Sequence, residues 1–155
     1  MDPINLRVPE ELREQVAELA RRLEGTDGPS EMSTTAQKLI YVGLGMRKSG
    51  QEPKFEGPLG MVSRPFAGVN FAGETVSFGT RVSTEVGEEL TEVFETKKHP
   101  AAREALRVGV IYLQIEELDI TGPAQIKRPF AKLEMEDPID DPRAMDALQE
   151  LRSVL

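Results

Sequence analysis

Ile4–Leu19, INLRVPEELREQVAEL, changes its period half-way. Ile4, Leu6 and Val8 alternate with Asn5 and Arg7, the period of a half-buried strand. After Pro9 the apolar residues fall at Leu12, Val16, Leu19 and Ala20, spaced i, i+4, i+7 and i+8 along one helix face. A strand this short does not stand alone. The chain contains the same pattern again. Phe78–Phe94 reads FGTRVSTEVGEELTEVF. Laid over Ile4–Ala20 without a gap, it sets Arg81 on Arg7 and Val82 on Val8. Val86, Leu90, Val93 and Phe94 then fall on Leu12, Val16, Leu19 and Ala20.

Each first helix is followed by a break and a second helix. In copy one the break is GTDGPSEM, whose glycines, proline and aspartate stop a helix. STTAQKLIYVGLG follows, with Ser33 as the expected N-cap. In copy two the break is TKKHP, and Pro100 suits a first helical turn. AAREALRVGVIYL follows. Setting Gly43 on Gly109 places Ala36 over Ala102, Leu39 over Ala105 and Ile40 over Leu106. The two glycines are expected to let the second helices approach closely. The unit is strand, helix, helix, and it occurs twice.

The bulk composition bounds the possibilities. A chain of 155 residues holds one ordinary domain or two very small ones. No apolar run is long enough to span a bilayer. No basic flank precedes an apolar stretch at the start, so no signal peptide is expected. The absence of cysteine removes disulfides, thiolate metal sites and cysteine nucleophiles, and fits a cytoplasmic location. The net charge is −8, which by itself argues against a nucleic-acid partner. The acidity is uneven, however. Residues 115–155 hold ten acidic and five basic residues, leaving the body near balance.

In order and pattern, INLRVPEEL followed by STTAQKLIYVGLG resembles the ribbon-helix-helix DNA-binding family, the Arc, MetJ and CopG type. The second copy departs from it at Ser83, where copy one has Pro9, at His99, where it has Ser33, and at Thr80, a polar residue on an inward strand position. The resemblance covers residues 3–46 and 76–113. It implies a mainly α fold with a short two-stranded antiparallel β-ribbon. Strand 4–8 would pair with strand 76–82 in a tandem pseudo-dimer like that of TraY-like proteins; the alternative is pairing between chains. The expected organisation is a first repeat over 1–46, a Gly/Pro-rich linker over 47–75, a second repeat over 76–118 and an acidic C-terminal extension over 119–155.

If Ile4, Leu6 and Val8 face the core, Asn5 and Arg7 face outward. Phe78 and Val82 likewise face in, while Ser77, Gly79 and Arg81 face out. A two-stranded ribbon fits the major groove of a duplex, where Asn can read adenine and Arg can read guanine. The resemblance therefore implies base reading by Asn5, Arg7, Gly79 and Arg81, with Ser77 as an added short-reach candidate. It also implies phosphate contacts where the second helices begin, at Ser33, Thr34 and Thr35 in copy one and at Lys97, Lys98 and His99 in copy two. Free N–H groups favour an anion there. Ser33 as a simple N-cap, His99 as a helix-start residue and the lysines as a solvated pair are the plainer readings.

The expected partner is double-stranded DNA and the expected role that of a transcriptional regulator, a repressor. One histidine and no cysteine leave no triad or zinc site, so neither enzyme activity nor a cofactor is expected. The linker's Phe and Val residues point to partial docking and an extra short strand. A helix is expected from Pro142, capped by Asp141, with Ala144, Met145, Leu148 and Leu151 as its apolar stripe. That helix either docks on the body or binds a protein partner, as in antitoxins of this family. The second reading makes the chain an interaction module.

Overall fold

The computed structural model describes residues 1–49, 55–56, 62–63, 75–117 and 141–154. The described chain is mainly helical. Strand β1 spans Asp2–Pro9, α1 Glu10–Glu24 and α2 Pro29–Ser49. Strands β2, Phe55–Glu56, and β3, Val62–Ser63, pair with each other in the linker, where an extra strand was expected. Strand β4 spans Thr75–Val82, α3 Thr84–Phe94, α4 Lys98–Glu117 and α5 Pro142–Arg152. The irregular part of the acidic extension, 118–140, lies outside the described residues. None of the described helices is long and apolar enough to cross a membrane.

β1 and β4 pair antiparallel within the chain. Asn5 stands opposite Gly79, the two positions that the sequence repeat equates. The pairs on either side, Ile4 with Thr80 and Leu6 with Phe78, are each the repeat equivalent of the other. The ribbon's register is thus two-fold about Asn5–Gly79. The inner row is buried: Ile4, Leu6, Val8, Thr80 and Val82 fully, Val76 and Phe78 in part. Removing each large apolar side chain of this row from water stabilises the ribbon by about 1.5–3 kcal/mol. Thr80 is tolerated there because its hydroxyl donates to the Ser33 carbonyl at 2.7 Å.

Beneath the ribbon, α2 and α4 make the most extensive helix contact. A Cβ on Gly43 would lie 1.8 Å from the Ala105 carbonyl oxygen, and one on Gly109 would lie 2.3 Å from that of Leu39. Leu39 and Ala105 are themselves equivalent in the repeat, so the crossing is reciprocal. These two glycines are present because backbone meets backbone. In the same layer, Arg107 is buried beside the Glu104 carboxylate, which Arg47 approaches at 3.8 Å while its guanidinium lies 4.5 Å above the Phe94 ring.

Two boundaries differ from expectation. α2 begins a turn early, at Pro29, because proline suits the first helical position and the Met32 N–H reaches the Gly28 carbonyl at 2.8 Å. Ser33 is therefore inside the helix and is not its cap. α3 is capped by Ser83, whose hydroxyl accepts from the Val86 N–H, and stops at Glu95 in the left-handed region, φ 53°. α1 stops on Gly25 in the same region, φ 86°, where glycine meets no steric penalty. A side chain there costs about 1 kcal/mol. Glu95→Gly should raise stability by about that amount, read as a shifted urea midpoint at unchanged slope.

α5 begins at its Asp141 cap and docks on α2, burying Ala144, Ala147, Leu148 and Leu151. Ion pairs hold both of its ends. Lys38 Nζ lies 2.7 Å from Glu150 Oε2; Lys48 Nζ lies 3.0 Å from Glu89 Oε1 and 3.2 Å from Asp141 Oδ2. Arg143 reaches the same two carboxylates. Burial pushes Glu89 and Asp141 up, but hydrogen bonds from Arg143 and Lys48 outweigh it and hold both below their ordinary values. Carboxylates depressed by folding add stability above their unfolded pKa and lose it as pH falls through the folded one. α5 should therefore undock below about pH 4, ahead of the ribbon and its helices. Amide exchange of 142–152 across an acid series reads this out, and Lys48→Met should loosen the helix already at neutral pH. Full protection of those amides down to about pH 2 would contradict the ion-pair account.

Candidate nucleic-acid interface

The pleat sends alternate side chains to opposite faces. On the face away from the helices, Pro3, Asn5 and Arg7 of β1 and Ser77, Gly79 and Arg81 of β4 are all exposed. The five residues expected to read bases therefore share one surface. Pro3 belongs to the same row and was missed, although the alternation continued one step back would have found it. The cross-strand pairs run Pro3 with Arg81, Asn5 with Gly79 and Arg7 with Ser77. The arginines sit on opposite sides of the centre, four residue steps apart. At about 3.4 Å per residue that is about 14 Å along the ribbon.

The charge state of this face is distinctive. Among the described residues most cations are engaged: Arg21, for example, contacts Glu14, Glu18 and Asp27, which push its guanidinium pKa up. Among the described residues, Arg7 and Arg81 have no ion-pair or hydrogen-bond partner for their side chains, and the same is true of Arg13 and Lys97. No carboxylate belongs to the exposed row.

The second-helix starts divide. Lys98 and His99 open α4 and both touch β1. The Lys98 ammonium lies 2.9 Å from Asp2 Oδ2, and this hydrogen bond holds the Asp2 carboxyl below its ordinary value. The Asn5 backbone N–H donates to His99 Nδ1 at 2.9 Å. With Nδ1 accepting, the ring hydrogen is on Nε2, which leaves a donor at the exposed end of His99. Lys97 is exposed just before the helix.

Copy one is different. Ser33 Oγ turns to Thr80, Thr34 Oγ1 donates to the Ser30 carbonyl, and Thr35 is fully buried. Because α2 starts at Pro29, all three lie past its free N–H groups, and its first turn carries Glu31. The expectation of a phosphate site at Ser33–Thr35 is corrected on that ground. Another residue that sequence reading missed is Gln37, whose amide donates to the Arg81 carbonyl at 3.0 Å and steadies β4 under the arginine. No local pattern marks a contact between residues so far apart in the chain.

Among the described residues no group of three or more His, Asp or Glu is placed to hold a metal ion. Compared with known proteins, the chain matches no family model, no curated protein and no solved structure.

Proposed function

We propose that the chain is a ribbon-helix-helix pseudo-dimer that binds double-stranded DNA in a sequence-specific way and acts as a transcriptional regulator. The observation that carries this reading is the pair of exposed arginines on one face of a two-fold ribbon, unpartnered among the described residues, where most other cations are engaged. A guanidinium offers guanine two parallel donors, and each such contact discriminates by about 1–3 kcal/mol. The span of about 14 Å between the arginines matches about four base-pair steps of 3.4 Å. The site should therefore hold two G·C pairs about four steps apart, with the guanines on opposite strands. A contact of Asn5 to adenine would lie between them.

Lys97, Lys98 and the outward nitrogen of His99 would hold a phosphate at the start of α4. The overall acidity is no obstacle to this, because a duplex meets the local field of the ribbon face.

Enrichment of random duplexes by the full chain tests the reading. Recovery of the spaced G·C pairs supports it; a pool that stays random at low salt rejects it. Lys97→Ala should weaken all duplexes alike and lower the salt slope by about one. The interaction-module alternative would use residues 119–155. It is less favoured, since the apolar face of α5 is spent on α2. Deleting 141–155 should leave duplex selectivity in place.

A further inference from the structure

Gly79 has no structural need to be glycine. Its φ lies outside the left-handed region, and a Cβ there would meet only the Ile4 carbonyl oxygen, at 3.8 Å. Glycine in a strand interior weakens the strand, and where the fold does not require it, it marks a place that something approaches closely. Gly79 faces outward at the centre of the ribbon, directly opposite Asn5. The centre therefore presents one carboxamide beside a bare stretch of backbone.

The flanks are unequal as well. Arg7 stands beside Ser77, which can donate and accept, whereas Arg81 stands beside Pro3, which has no polar side chain. Lys97, Lys98 and His99 gather where α4 begins, along the β1 edge of the ribbon; α2, which packs along β4, begins with Glu31 in its first turn and Asp27 just before it. A phosphate is attracted along the β1 edge and repelled along the β4 edge. Of the outward residues related by the two-fold, only the two arginines are the same.

We propose that the chain reads duplex DNA in a single orientation, with Asn5 opposite Gly79 setting the polarity, so that its substrate class is non-palindromic sites and not inverted repeats. The proposal rests on the DNA reading above. Turning the duplex end for end keeps both arginine contacts and exchanges everything else. One lost bidentate contact alone makes the reversed complex about fivefold weaker or more.

The chain has no cysteine, so a single one can carry a DNA-cleaving iron chelate. Thr26 and Thr96 are exposed and off the ribbon, one ahead of each second helix. On the sequence best enriched by the unmodified full chain, Thr96→Cys should cut one flank and Thr26→Cys the other, each with a bias of about fivefold or more. Gly79→Asn should fold normally and move the enriched pool toward inverted repeats. Equal cutting of both flanks by each tether, or a wild-type pool made of inverted repeats, overturns the polarity while leaving DNA reading intact. A pool with no enrichment removes both.

Discussion

Gly43→Ala should cost the protein about 3 kcal/mol or more, at the upper end of what overpacking costs a core. The new Cβ would sit 1.8 Å from the Ala105 carbonyl oxygen. That atom is backbone in the middle of α4, so no rotamer change moves it away. The helices must separate, which loosens the buried layer of Leu39, Ile40, Ala102 and Leu106 between them. Gly109→Ala meets the same crossing from the other side, 2.3 Å from the Leu39 carbonyl. Helix propensity alone gives the opposite sign, since alanine is favoured over glycine by about 1 kcal/mol in a helix interior. The melting temperature should fall by about 6–12 °C, at about 2–4 °C per kcal/mol for a chain of this size. Thermal unfolding followed by circular dichroism measures it. Gly79→Ala is the control: with 3.8 Å of room it should melt like the wild type. A Gly43→Ala protein at or above the wild-type melting temperature would mean that α2 and α4 do not cross this closely.

The same two glycines show what the sequence makes legible. Their equivalence came from the sequence repeat, and so did the two-fold register of β1 with β4. Period-two alternation was enough to sort Asn5, Arg7, Ser77, Gly79 and Arg81 onto one face, because side-chain direction in a strand follows from the pleat alone. Helix starts were harder. In GTDGPSEMS serine suits a cap at Ser33, but proline's fitness for the first turn places the start at Pro29. α3 stops on Glu95, where no glycine advertises the left-handed residue. The contacts that shape the start of α4 were not legible at all. Lys98 with Asp2 and His99 with Asn5 join residues more than ninety positions apart, and neither pair belongs to a local pattern. The consequence is physical: the two halves share a backbone plan and differ in the chemistry at their ends.

On the proposed DNA reading, replacing Arg7 and Arg81 together by alanine should reduce the preference for the enriched duplex by about thirtyfold or more, as two guanine contacts of about 1–3 kcal/mol each would be lost. The fold should be untouched. Both side chains are exposed and unpartnered among the described residues, and surface changes of that kind usually alter stability by less than about 0.5 kcal/mol. Loss of charge could mimic loss of reading, so the informative companion is Arg7→Lys with Arg81→Lys. Lysine keeps the charge but lacks the planar fork that matches the two guanine acceptors. The lysine variant should keep the wild-type salt slope and the affinity for random duplexes while losing most of its selectivity. Competition binding at two salt concentrations, with the enriched duplex against a scrambled one, separates the two effects. Selectivity that survives in both variants would mean that the ribbon face does not read bases, whatever else holds the duplex.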